Sequence, residues 1–185
     1  EGTAFTINNF EKRYGSTSLE EAGIEAGEVE RFTVTSRDRF GNLLSSCNGV
    51  DLCDAGGATL TATMIHKTNN AERVTVTFTD QQDGTYAATW AAQKAGAYDI
   101  QVQLCDGPGC VGQRISGSPF PARVFPSYVS FPSVANGPGL GQVASGPASF
   151  TIRAIDRFGN NINRDGDGDM FMARLDCTRG VCLDG

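Results

Sequence analysis

Histidine and tryptophan occur once each in 185 residues, and methionine three times. That scarcity removes several chemistries at the outset. A lone His66 offers no second imidazole to complete a histidine metal centre, and no nucleophile stands in a recognisable partnership with it. Its place beside Lys67, at the end of an apparent strand, predicts a surface histidine. Ser116 and Ser118 lie near Arg114 but show no nucleophile-elbow pattern. "GPGLG" at Gly137 to Gly141 lacks the strand-to-helix setting that a dinucleotide or phosphate loop requires. No apolar run approaches the roughly 20 residues needed to cross a bilayer as a helix. Basic residues number 15 against 21 acidic ones, giving a net charge of −6. No basic stripe is therefore available to neutralise phosphates, and a nucleic-acid partner is not expected. The chain also has no Asn-x-Ser/Thr sequon, no initiator Met and no signal peptide at Glu1, so it reads as a segment of a longer precursor.

What is present repeats. "DRFGN" occurs at Asp38 to Asn42 and again at Asp156 to Asn160. The offset (156 − 38) is 118 residues, and it also superposes Phe32-Thr33-Val34 on Phe150-Thr151-Ile152. In both copies an alternating apolar strand runs into the loop. Gly41 and Gly159 suit a position of positive φ, and Asn42 and Asn160 suit a tight turn. A structural turn suffices to explain the repetition.

Period-two alternation dominates from Arg31 onward. Phe32 and Val34 alternate with threonines, and Leu60, Ala62 and Met64 lie opposite Thr59, Thr61 and Thr63. Val74, Val76 and Phe78 are expected inward, as are Tyr86, Ala88 and Trp90, then Tyr98, Ile100, Val102 and Leu104. Turn residues separate the runs at Asn69-Asn70, Asp83-Gly84, Ala95-Gly96 and Gly107-Pro108-Gly109. Only "SLEEAGIEAGEVE" hints at a helix, weakened by Gly23 and Gly27. Six or seven short strands in about a hundred residues predict an all-β, immunoglobulin-like sandwich.

The six cysteines form three close pairs: Cys47 and Cys53, Cys105 and Cys110, Cys177 and Cys182. Each pair flanks a short polar or glycine-bearing segment, so local disulfides that clip loops are the simplest reading, and they imply an oxidising compartment. Zinc is the rival; intervals of four and five intervening residues and a single histidine disfavour it. Connectivity is not fixed by spacing.

"DQQDGTYAATWAAQKAGAYDIQV" followed by "ISGSPFPARV" closely resembles the filamin-type immunoglobulin-like repeat. The family pattern of Asp-Gly-Thr-Tyr, Gly-x-Tyr-x-Ile-x-Val and Gly-Ser-Pro-Phe stands here at Asp83 to Tyr86, Gly96 to Val102 and Gly117 to Phe120. The resemblance covers residues 11–126 as a complete repeat. Residues 127–185 match the N-terminal part of a following one, without its last four strands. "TAFTIN", within residues 1–10, reads as the last strand of a preceding repeat, because the distance from Ile7 to Phe32 is close to that from Val124 to Phe150. Half a sandwich would expose its apolar face and edges, so continuation of the array or completion by another chain is expected.

One stretch has the composition of a metal loop. Counting Asn163 as the first position puts Asp165, Asp167 and Asp169 at the third, fifth and seventh, as in a calcium loop. Arg174 then falls where an EF-hand needs a bidentate glutamate, so any calcium site there is an irregular loop between strands, and a solvated acidic turn is the plainer reading. No other cofactor is expected.

The resemblance implies a non-enzymatic role. Filamin-type repeats occur in surface proteins of algae and plants, including gamete adhesion proteins and flagellar-surface filaments. With three cysteine pairs, the expectation is an extracellular structural or adhesion rod whose partners are neighbouring repeats and other extracellular or filament proteins. The alternative is an intracellular cytoskeletal scaffold that binds peptides by adding a strand along "GATLTATMI" and "ERVTVTFTD".

Overall fold

The computed structural model describes residues 4–8, 23–37, 40–42, 58–105, 112–130, 133–140, 147–162 and 171–174. Along the chain run β1 (Ala4–Asn8), β2 (Ile24–Glu25), β3 (Val29–Arg37), β4 (Thr59–His66), β5 (Asn69–Asp80), β6 (Thr85–Ala91), β7 (Gly96–Cys105), β8 (Gln113–Arg114), β9 (Phe120–Phe125), β10 (Val134–Asn136), a short 3-10 turn at Pro138–Leu140, and β11 (Thr151–Arg153).

Strands β1 to β9 form one hydrogen-bonded path in the order β1-β3-β6-β5-β4-β7-β9-β2, with β8 beside β7. The path folds into two layers at β5. Residues Asn69 to Val76 of that strand pair with β4, whereas Thr77 to Asp80 pair with β6. A 12-residue strand can serve both layers because it is long enough to leave one partner and reach another. The result is an immunoglobulin-like sandwich, as the alternating pattern predicts.

Alternation also selects the core. Phe32 and Val34 from β3 and Tyr86, Ala88 and Trp90 from β6 meet Leu60, Ala62 and Met64 from β4, Tyr98, Ile100 and Val102 from β7, and Ala122 and Val124 from β9. Apart from Ala122 and Val124, these are positions read as inward from sequence, and Leu104, also read so, is partly buried against them. On β5, Val76 is buried while Val74 and Phe78 are only partly so. Phe78 still places its ring edge-on to Phe32, with centroids 6.2 Å apart.

The family motifs have local mechanical jobs. Asp83 Oδ1 accepts hydrogen bonds from the Thr85 amide at 2.9 Å and the Thr85 hydroxyl at 2.6 Å, closing the turn that starts β6. Gly84 sits at φ 85°, a conformation that side chains disfavour, and its carbonyl accepts from the Ser36 amide and hydroxyl at the end of β3. Ser118 Oγ accepts from the Val102 amide at 3.0 Å, tying the Gly-Ser-Pro-Phe segment to β7.

Three sequence expectations need revision. The helix suggested around Ile24 is absent from the described residues: Ile24 and Glu25 form β2, parallel to Val124 and Phe125, and Val29 already belongs to β3. Gly23 and Gly27 have positive φ on either side of β2, and burying Ile24 against β9 outweighs helical propensity. His66, expected at the surface, is 7% exposed. Its ring packs edge-on against Tyr98 with centroids 4.9 Å apart. The turn placed at Asn69-Asn70 lies at Lys67-Thr68, and β5 begins at Asn69.

β1, read from spacing as closing a preceding repeat, is hydrogen-bonded antiparallel to β3, with Ile7 opposite Val34. In the second copy the corresponding edge, that of β11, is taken by β10, with Ala135 opposite Ile152.

Candidate inter-repeat interface

The second DRFGN loop holds a buried carboxylate. Asp156 is fully buried, a costly position for a charge unless its oxygens are supplied with donors. Four donors reach it. Oδ1 accepts from the amides of Phe158 at 2.8 Å and Asn160 at 2.9 Å; Oδ2 accepts from the Ser127 amide at 2.9 Å and Asn160 Nδ2 at 2.8 Å. The backbone adds bonds from the Asp156 amide to the Asn160 carbonyl and from the Gly159 amide to the Asp156 carbonyl. One side chain thus closes the loop and fastens it to Ser127, in the segment leaving β9.

Burial works to raise the pKa of Asp156, but the hydrogen bonds from Asn160, Ser127 and Phe158 outweigh it and hold the pKa below the ordinary value of 3.8.

Held this way, the loop meets the first repeat. Asn160 is buried, and Asn160 Oδ1 accepts from the Ala95 amide at 2.9 Å, while Nδ2 donates to the Gln93 carbonyl at 2.7 Å. Together with its bond to Asp156, the amide group uses both of its protons and its oxygen. Phe158 packs against the sandwich core, its ring directly over Gly27, where any side chain would collide with it. Arg157 lies over the outer part of the contact, with its guanidinium carbon 4.7 Å from the Phe158 ring centroid.

The first repeat presents a prepared surface. The Gly27 amide donates to the Ala92 carbonyl at 2.8 Å, which brings the β2–β3 turn beside the β6–β7 turn. From inside, the Tyr98 hydroxyl donates to the Lys94 carbonyl at 2.7 Å, an arrangement like the tyrosine corner of immunoglobulin sandwiches. Burial, with a smaller contribution from the Glu72 carboxylate, pushes the Tyr98 pKa up to about 12, so the hydroxyl keeps its proton at any physiological pH. His66 supports the same turn. Its Nδ1 accepts from the Thr68 amide at 3.2 Å, leaving Nε2 to donate to the Ala95 carbonyl at 3.3 Å. The turn that Asn160 reads is thus held by bonds from within its own sandwich as well.

Of the site residues expected from sequence, only Cys105 is among the described residues. Cys105, at the buried end of β7, is disulfide-bonded. Cys47, Cys53, Cys110, Cys177 and Cys182, and the acidic loop of Asn163, Asp165, Asp167 and Asp169, lie outside the described residues. Among the described residues no cluster of metal-ligating side chains occurs. The edge carried over for strand addition is largely occupied: β4 pairs with β7 along its whole length and with β5 from Ala62 to His66. Sequence reasoning explained the DRFGN loop as a turn and missed the docking. A turn alone asks for Asp156, Gly159 and Asn160 but not for Phe158, and repetition of the full pentapeptide was the available signal.

Two outcomes follow from this geometry. Asn160→Ala should weaken docking by about 1–3 kcal/mol, the range for leaving buried groups unsatisfied, read as faster amide exchange at Ala95 with Ile100 unchanged. Because the Asp156 pKa is depressed in the folded state, its contribution is complete above 3.8 and is lost as pH falls through the lower folded value. An NMR titration of the Ser127 and Ala95 amides should show release in that acid window, and Asp156→Asn should abolish the pH dependence.

The sequence profile of the Filamin/ABP280 repeat matches residues 13–121. Among solved structures, the chain is similar to the Lin-41 filamin domain, with a TM-score of 0.42 and 21% identity over 65% of this chain and 90% of that one. It is also similar to domains 5–6 of the S-layer protein SbsC, with a TM-score of 0.35 and 16% identity over 86% and 67% of the two chains. For InvD of Yersinia pseudotuberculosis the TM-score is 0.29, with 15% identity over 88% and 62%. The profile spans more than half of the 185 residues, and its motifs perform the turn-closing and strand-tying work described above: the chain belongs to the Filamin/ABP280 repeat family, a structural, non-enzymatic domain type.

Proposed function

We propose that this chain is a stretch of an extracellular rod of tandem filamin-type repeats, structural or adhesive in role and suited to filaments at a cell or flagellar surface. The observation that carries the rod is the clamp from Asn160 to Ala95 and Gln93, because it fixes one copy of the repeat motif on the preceding sandwich instead of leaving the two joined only by a linker. Side-chain hydrogen bonds to backbone on both sides of a turn define orientation as well as proximity.

The extracellular part of the reading rests on the cysteines. Three close pairs in 185 residues, each able to clip a loop, suit an oxidising compartment, where such bridges resist unfolding and proteolysis. Partners on this reading are neighbouring repeats and other extracellular or filament proteins. No reaction is assigned to the chain.

Intact mass of the native protein, with alkylation before and after reduction, tests the placement. The expected result is no alkylation until reductant is added, then six alkylated thiols, with peptide mapping pairing Cys47 with Cys53, Cys105 with Cys110 and Cys177 with Cys182. Six thiols that alkylate without reductant would move the chain to the cytoskeletal reading.

A further inference from the structure

The first copy of the loop carries the residues that dock the second. Phe40, Gly41 and Asn42 match Phe158, Gly159 and Asn160 in identity and order. Their backbones match as well, since φ is 86° at Gly41 and 82° at Gly159. In place of Ile155 the first copy has Arg37, whose Nη1 donates to the Gly41 carbonyl at 2.8 Å and holds the loop from the strand side. The exposure differs. Phe158 is packed against a sandwich core, whereas Phe40 is 74% exposed.

Position along the sandwich supplies the second line of argument. Gly27 precedes β3 and the Phe40 loop follows it, so the docking patch and the loop lie at opposite ends of a nine-residue strand, about 30 Å apart at the usual rise. The register agrees: Val29 pairs with Ala91, next to the patch, and Thr35 pairs with Thr85 at the far end. One repeat therefore bears a patch at one end and the matching loop at the other. A contact of that kind is heterologous and propagates along an array instead of closing on itself.

We propose that the loop bearing Phe40 and Asn42 docks on a preceding filamin-type repeat in the way that Phe158 and Asn160 dock on this one. Phe40 covers a glycine of positive φ there, and Asn42 bonds the amide and carbonyl of that repeat's β6–β7 turn. The partner is the repeat that precedes this one in the same array, one with the features of residues 23–96. This inference rests on the reading that the Asn160 contact clamps successive repeats.

A tandem chain tests it directly. Joining residues 1–144 to residues 27–185 keeps the offset of 118 and faces the first unit's patch with the Phe40 loop of the second. The second unit's patch still faces its own Asn160, an internal reference, and covalent linkage keeps the effective concentration high. With one unit isotopically labelled at a time, both Ala95 amides should be protected from exchange. Asn42→Ala in the second unit should speed exchange at the first unit's Ala95 by about 5- to 150-fold, the scale expected of Asn160→Ala in the equivalent contact, and leave the second unit's Ala95 unchanged. The proposal is overturned if the first unit's Ala95 exchanges freely in the unmutated tandem chain while the second unit's stays protected. If both amides exchange freely and Asn160→Ala changes neither, the clamp itself is absent.

Discussion

A carboxylate without access to water holds the two copies together. Asp156 has four N–H donors around it, one from the segment that leaves the first sandwich and three from its own loop. Buried charge is tolerated only under such full satisfaction, and the requirement works in reverse: any movement that opens the loop strands the charge. Asn160 is aimed by this arrangement. Its side chain bonds Asp156 on one side and the backbone of Gln93 and Ala95 on the other, so loop closure and docking are parts of one network. The turn it meets is set independently by Tyr98 from within and His66 from the flank. Both surfaces are also held by contacts that do not cross between them.

The core was legible because a strand has a period of two. Phe32, Val34, Tyr86, Ala88, Trp90, Ile100 and Val102 are where alternation puts them, and the spacing of turn residues indicated a sandwich. Expectations failed where a tertiary contact decided. Nothing local tells His66 that Tyr98 will lie against its ring, nor Ile24 that Val124 will pair beside it. The interface was half legible. The repeated pentapeptide is visible in the sequence, but its partner, a turn 65 residues earlier, offers only a backbone amide and carbonyl, groups that every turn possesses.

For an array, the consequence is directional stiffness. Family membership supplies the sandwich, and the second DRFGN loop docks on one end of it. A linker alone would allow each repeat to swing; a loop fastened by hydrogen bonds and covered by Phe158 leaves little freedom for that. Gly27 contributes by omission, since a side chain there would occupy the place of the Phe158 ring.

Relative orientation of the two copies is the most direct measure of this account. Residual dipolar couplings for amides of β3, β6 and β7, and separately for amides from Val134 to Asn136 and from Thr151 to Asn161, report the alignment of each part in solution. A rigid clamp predicts that one alignment tensor fits both sets together, oriented as in the structure. Two tensors of different magnitude or axis would mean that the copies move independently, and that the contact between Asn160 and the first repeat does not hold them.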